Sequence, residues 1–371
     1  GQLNDDDFAT IRGLSKLTIL NMAASKIDGN AIPSGAFADM KLEWYVSPYN
    51  FTSVGSGIFK GCDKLAALTW NSATIELPED VVTDVANPNM LVYAKAQAMI
   101  PYAMRNVVVN GVANNIILVD SAGNNNFKCP EEFLARRITY THDYQQKTEL
   151  GQTQGWETLA LPFTVSKITH ETKGELTPSA VEGAERPFWL YELTDNGMEK
   201  AEQIRANTPY LICMPNDDAY GDDYILGGRV TFSASNVKIT TSDGTTVSSG
   251  DRQFVPTYQR VASSSDVYAL NVGQVVGENR IGSAFISNLR EVRPFEAYSV
   301  HSGNKTRSIP VSSLGGGDAT GINDLMLKNG GESLDGVVKV YSLSGALIKQ
   351  GKREEVIRSL PKGLYIIDGQ K

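Results

Sequence analysis

Few side chains in this sequence are spaced to do chemistry. Its three histidines, His142, His170 and His301, lie far apart, and none has a Cys, an Asp or a second His at metal-ligand spacing. His170-Glu171 reads as a loop pair rather than an acid–base pair. No H-E-x-x-H, G-x-S-x-G or phosphate-binding loop occurs. Gly55-Ser56-Gly57 falls inside a repeated stretch, where glycine serves to make a turn. The three cysteines, Cys62, Cys129 and Cys213, form neither a disulfide framework nor a zinc pattern. Cys62 occupies a position that calls for a small buried apolar side chain.

The densest acidic loop runs from Asn216 to Asp223 and holds Asp217, Asp218, Asp222 and Asp223. Carboxylates this close repel unless they are solvated or bridged by a cation, so the loop is either a solvated hairpin tip or a calcium site. It lacks the EF-hand spacing and a closing Glu. Glycoside hydrolysis needs two carboxylates at a defined separation, and acidic residues are plentiful here without any such signature. No catalytic residue, metal or cofactor is assigned. The remaining candidates are aromatic. Trp44, Tyr45, Trp70 and Tyr93 lie on or beside expected strands, where a ring can stack on a sugar or anchor a partner. Trp70 is at an inward position and reads as core; Trp44 is off the repeat phase and reads as exposed. Trp44 and Tyr45 are the candidate binding residues.

These residues sit in a repeat. Ile32 recurs as Val54 and Phe37 as Phe59, at the same offset; Leu42 recurs as Leu65 and Tyr45 as Leu68, one position further apart. An earlier copy, Leu14-x-x-Leu17-x-x-Leu20-x-Met22, places Leu17 about one period before Leu42. A period of about 20–29 residues is the mark of a solenoid, in which one coil cannot bury its own apolar face and neighbours must stack. Leu65 to Trp70 alternates as a strand, with every second side chain inward. Phe37 and Phe59 would close the opposite wall. Leu91 resumes the phase, as far from Leu68 as Leu68 is from Tyr45. Val107-Val108-Val109 and Ile116 to Val119 follow, joined by the hairpin signal Asn110-Gly111. Residues 87–120 are expected to cap the open end of the coil.

The expected fold is mainly β, in three parts. Residues 1–122 form leucine-rich repeats with irregular capping strands. Residues 123–313 alternate short β-rich runs with turn signals such as Asp195-Asn196-Gly197 and Ser242-Asp243-Gly244, and read as an antiparallel sandwich. Residues 314–371 are a glycine-rich linker and a small β domain. The balance is acidic, 34 Lys+Arg against 42 Asp+Glu, for a net charge of −8, which argues against nucleic acid as a partner. No run of 18 apolar residues exists, so an integral membrane protein is not expected.

Phe59-Lys60-Gly61-Cys62, with the opening stretch Asp5 to Leu14, resembles the BspA-type leucine-rich repeats. Members of that family are typically exported or surface proteins, several implicated in adhesion. Gly155 to Phe163 and Asn207 to Tyr210 are similar to a β-rich segment that follows such repeats in exported bacterial proteins and has no assigned activity. Near the end, Val340-Tyr341-x-x-x-Gly345 and Leu360-Pro361-x-Gly363-x-Tyr365 resemble the carboxy-terminal sorting domains of exported proteins from anaerobic bacteria. The resemblance implies an extracellular or cell-surface location, and a signal peptide lying outside a sequence that opens on Gly1-Gln2 and reads as trimmed.

The function expected on this basis is adhesion or binding of an extracellular protein or glycan, without catalysis. The alternatives are a carbohydrate-active enzyme with its site in the middle β region, and a structural spacer in a surface assembly. The repeat makes one direct prediction. Phe59→Ala should open a core cavity costing about 3–5 kcal/mol in a urea titration, and a loss under about 1 kcal/mol would remove Phe59 from the repeat core.

Overall fold

The structure is a computed structural model. It describes residues 2–120, 123–149, 153–194, 197–218, 220–241, 246–249, 252–301, 306–314, 337–341, 347–352 and 366–367. The chain is mainly β, 8% helix and 38% strand, with a β-solenoid of about six turns followed by antiparallel sheets. It divides into two compact units: Gly1–Glu149 with Thr153–Ala319, and Leu150–Gln152 with Thr320–Lys371.

Five short parallel strands make one wall of the solenoid: Ile19–Asn21, Trp44–Val46, Ala67–Trp70, Leu91–Ala94 and Val107–Val109. They pair in register, so Leu20, Tyr45, Leu68, Val92 and Val107 form one column. Tyr45, Leu68 and Val92 in that column are fully buried. Ala31–Ile32 pairs with Ser53–Val54 on a second wall. Further along each coil, the Phe37 N–H donates to Ile58 O and Asp39 N–H to Lys60 O. Phe37 and Phe59 sit in matching rungs with ring centroids 5.7 Å apart, and Phe8 continues the column 5.9 Å from Phe37. Val81, one repeat after Phe59, takes the next step and is fully buried. Cys62 is buried as expected, its thiol 3.1 Å from Phe37 O. Gly61 makes its turn at φ +76°, a conformation other residues rarely adopt, and a Cβ there would lie 2.1 Å from Asp39 Oδ1 and force that side chain to move.

The first coil is closed by the helix Asp5–Arg12. Its N-cap is Asn4, whose side chain accepts from the Asp6 and Asp7 N–H groups, and the Asn4 N–H donates to Asp7 Oδ2 to complete a capping box. Phe8 drops into the core, and Arg12 donates to Gly35 O at 3.1 Å.

The other end does not stop. Asn110 and Gly111, with φ 50° and 77°, make the expected turn, but it pairs Val107–Val109 with Val112–Ala113, and Ile116–Val119, the expected partner, pairs elsewhere. Val112–Ala113 and Ile116–Val119 then pair with successive stretches of the strand Phe133–Tyr144. That 12-residue strand pairs antiparallel with Gly228–Ile239, which takes Lys167–His170 on its far side. The result is one 11-stranded sheet. The expected boundary between residues 122 and 123 is therefore not a break between compact bodies: a strand long enough to pair with two short ones carries the solenoid sheet into the middle region.

Two asparagines complete this junction. Ile116–Val119 pairs with Phe133–Tyr144, and on its other edge side chains do the work of a strand. Asn106 Oδ1 accepts from Ile117 N–H at 2.8 Å while its Nδ2 donates to Ile117 O at 3.3 Å. Asn89 repeats the pattern two residues on, accepting from Val119 N–H at 2.8 Å and donating to Val119 O at 2.9 Å. Both asparagines are buried, and buried backbone groups must be paired.

Beyond the junction, a five-stranded sheet contains Glu157–Ala160, Pro209–Cys213, Pro187–Thr194, Thr177–Pro178 and Gly197–Lys200. A six-stranded antiparallel sheet spans Val247–Ser249 to Ser308–Pro310. Phe127, Tyr140, Phe232, Tyr258 and Phe295 belong to the core these elements share. Of the expected turns, Asp195-Asn196 and Ser242-Asp243-Gly244 lie outside the described residues. In the second unit, Leu347–Lys352, Val337–Tyr341 and Ile366–Ile367 form a three-stranded antiparallel sheet. The glycines from Gly315, Ser344-Gly345 and the Leu360 to Tyr365 motif lie outside the described residues.

Asn89→Ala strands three backbone groups, Val119 N–H, Val119 O and Asn125 O, each worth roughly 1–3 kcal/mol when buried and unpaired, so a loss of about 3 kcal/mol or more is expected in urea denaturation. Asn114→Ala, at an exposed position nearby, should stay within about 0.5 kcal/mol of the unsubstituted protein.

Candidate functional site

Strand alternation gives the ladder an outer column as well as an inner one. Asn21, Val46, Thr69, Tyr93 and Val108 occupy it in register. Its two halves have different fates. Leu91, Tyr93 and Val108 are buried in the core of the middle region, together with Phe127, Cys129 and Phe133. The Tyr93 ring meets Phe133 edge-on at 6.2 Å, and its hydroxyl donates to Glu131 O at 2.8 Å. Lys128 pins the covering segment to Glu43 at 3.2 Å. In the remaining half Asn21 is exposed, Trp44 and Thr69 are half-buried, and Val46 is buried.

A groove of about 280 Å³ lies where the cover ends. Trp44, Tyr49, Thr69 and Asn71 line it, with Lys95, Asn110 and Glu131. Trp44 is half-buried, and its indole N–H donates to Thr69 Oγ1 on the next rung at 3.1 Å. Asn71 is buried and fixed to the neighbouring coil, its N–H donating to Ser47 Oγ at 2.8 Å and its Nδ2 to Ser47 O at 2.6 Å. Tyr49 is 55% exposed, beside the half-buried Trp44. Lys95 and Glu131 stand at the rim, one charge of each sign, both exposed.

Of the two candidate aromatics, the structure places one here. Tyr45 is fully buried, with its ring 4.7 Å from Phe37 and 5.0 Å from Phe59. Burial raises its hydroxyl pKa well beyond the ordinary tyrosine range. The expectation for Tyr45 is corrected for a simple reason: consecutive strand residues face opposite ways, so Trp44 and Tyr45 cannot share a face. Trp70 is core as expected, its indole donating to Ile75 O at 2.8 Å. Tyr49 did not emerge from the repeat reading, although an aromatic after Pro48, just past a rung strand, was the available signal.

The acidic loop does not gather into a cage. Asp217 O accepts from the Tyr220 N–H, and Asp222 O accepts from Lys173 Nζ at 2.7 Å. Among the described residues, no group of three or more His, Cys, Asp or Glu side chains is placed to hold a metal ion. The calcium alternative for Asp217, Asp218 and Asp222 thus finds no support, and the Asp223 side chain lies outside the description.

One cluster is hidden from sequence spacing. His142 Nδ1 is 3.0 Å from Asp120 Oδ2, and Nε2 is 2.8 Å from Glu157 Oε2. Burial alone would lower the His142 pKa, but hydrogen bonds and charge from the two carboxylates outweigh it and push the value to about 10. Burial acts to raise the Asp120 pKa, and the His142 hydrogen bond and charge, with Arg293 and Arg260 nearby, hold it below the usual carboxylate value. With both ring nitrogens held by carboxylates, the imidazolium acts as a tie between three strand ends. His170 is also engaged: Nε2 meets Gly227 O at 3.0 Å, and Nδ1 accepts from the Thr172 and Lys173 N–H groups at 3.2 Å each. The cysteines are buried thiols, and burial pushes the Cys62 thiol up to about 12 and Cys129 up to about 11, which disfavours the reactive thiolate.

No family model, curated protein or solved structure matches this chain. Among the described residues, no helix is long and apolar enough to cross a membrane.

The tie has a pH signature. His142 gains its partners on folding and its pKa rises, so its stabilisation is complete below about pH 6.5 and is lost as pH rises through about 10. Asp120 shifts down, so its share is present above the ordinary Asp value and disappears in acid, as pH falls through its lowered value. His142→Gln is expected to cost about 3 kcal/mol at pH 6. In urea titrations, the gap between variant and parent should narrow steadily from pH 7 to pH 10; a constant gap would rule out the imidazolium.

Proposed function

We propose that this chain is a non-catalytic binding protein of the BspA-type repeat class, exported or displayed at a cell surface, and that the groove holds its extracellular partner. The observation that carries this reading is the groove itself. It sets one exposed and one half-buried aromatic among side chains fixed by the solenoid backbone. An anchor ring at a site held rigid before binding is how recognition surfaces gain affinity without a large ordering cost. The site residues come from rungs and from the loops that follow them directly, which suits recognition better than a mobile loop would. The partner is an extracellular protein or glycan. The acidic net charge of −8 supports a partner other than nucleic acid.

The test is capture by the intact chain on arrays of extracellular proteins and glycans, read beside a variant whose groove is filled. Thr69→Arg places a long side chain in the groove from a half-buried position. Binding that falls about tenfold, or about 1.4 kcal/mol, with an unchanged urea midpoint supports the reading. Equal binding by parent and variant would place the partner elsewhere on the chain.

A further inference from the structure

We infer that the ligand of this groove is an uncharged glycan, seated with a pyranose ring against Trp44 and Tyr49; the inference rests on the binding reading above. The first argument comes from what the groove offers. The Trp44 indole N–H is already donated to Thr69 Oγ1, so the residue presents ring surface rather than a hydrogen. Tyr49 adds a second ring, more than half exposed. The C–H face of a pyranose matches such a surface, while its hydroxyls need small polar partners around it. Those partners are present. Asn71 holds Ser47 through its N–H groups, and among the described residues nothing donates to its Oδ1. Asn110, which also lines the groove, is exposed.

The second argument is charge. One lysine and one glutamate face the groove, and they cancel. A polyanionic glycan would need a cationic excess that the rim lacks.

The main rival is an extended peptide. Peptides that bind β-structure commonly add a strand at a free edge. The rung Trp44–Val46 already pairs with Ile19–Asn21 on one side and Ala67–Trp70 on the other, and Ala67–Trp70 pairs onward with Leu91–Ala94. The floor is therefore built of strands paired on both sides; the open edge strand Ile19–Asn21 contributes only Asn21 to the groove, and its three residues offer an added strand few backbone bonds. The groove volume of about 280 Å³ lies at the small end for ligand sites, suited to a short piece of a chain-like ligand.

The protein carries its own reporter. Of its four tryptophans, Trp156 and Trp189 are buried away from the groove and Trp70, which lines it, is fully buried, so a ligand entering the groove acts chiefly on the emission of the half-buried Trp44. The experiment titrates the intact chain with neutral oligosaccharides of glucose, xylose, mannose and N-acetylglucosamine at millimolar concentration. Sulfated oligosaccharides and a panel of unstructured peptides run in parallel. The expected result is a saturable emission change with at least one neutral series, absent in Trp44→Phe and shifted to about tenfold weaker affinity in Tyr49→Ala. Tyr49 is exposed enough for its replacement to leave the fold intact, which a urea midpoint checks. Tighter binding of the sulfated series would overturn the neutral assignment. A Trp44 response to peptides alone would overturn the glycan inference and leave the groove as a binding site. No Trp44 response to any probe overturns the inference; if Thr69→Arg also leaves array capture unchanged, the binding reading falls with it.

Discussion

A stack of parallel strands always has two unsatisfied edges, and most of this molecule can be understood as the management of them. Each rung is too short to hold itself together: Trp44–Val46 has three residues, and their polar backbone is paired only because Ile19–Asn21 and Ala67–Trp70 lie on either side. Inside, the columns Phe8–Phe37–Phe59 and Tyr45–Leu68–Val92 supply the apolar burial that holds the coils in register. Remove the register and both the core and the backbone pairing go together, because a one-residue slip turns every inward side chain out.

The two ends are handled differently, and the groove is a consequence. At the start, a capped helix closes the first coil, and Ile19–Asn21 is left as a short edge strand with Ile19 partly exposed. At the far end, the sheet is handed to Phe133–Tyr144 and then to antiparallel partners. Residues 127–133, which lead into Phe133–Tyr144, lie against the outer face of the last rungs. Phe127, Cys129 and Phe133 cover Leu91, Tyr93 and Val108. Trp44 and Thr69, nearer the start, stay outside that cover, and the step between covered and open face is the groove.

Much of this was legible in the residues. The spacing of Phe37 and Phe59 gave the rungs, Asn110-Gly111 gave the turn, and Trp70 declared itself by its inward phase. What stayed hidden depends on contacts distant in sequence. Asn87-Pro88-Asn89 looks like a chain break, yet Asn89 is a buried surrogate for strand backbone whose partner is 30 residues away. His142 finds Asp120 and Glu157 at separations of 22 and 15 residues, which no local pattern signals. Tyr45 failed as a surface candidate although the needed rule is local: beside an outward Trp44, a strand turns its next residue inward.

The junction also explains why a shallow groove can be a selective one. A small site gains little from buried area, so its affinity depends on how little order must be created when a ligand arrives. Here that order exists beforehand. Asn71 is locked to Ser47, Trp44 to Thr69, and Tyr93 to the Glu131 backbone beneath the rim. Asn89 and Asn106 tie the last rungs to Ile116–Val119 through backbone-like pairs, and the Asp120–His142–Glu157 tie holds the next strands at their ends. Polar groups buried in this way add less net stability than apolar packing would, but each accepts only one arrangement of its neighbours. The position of the covering segment, and with it the width of the groove, is therefore set by directional bonds rather than by apolar contact alone.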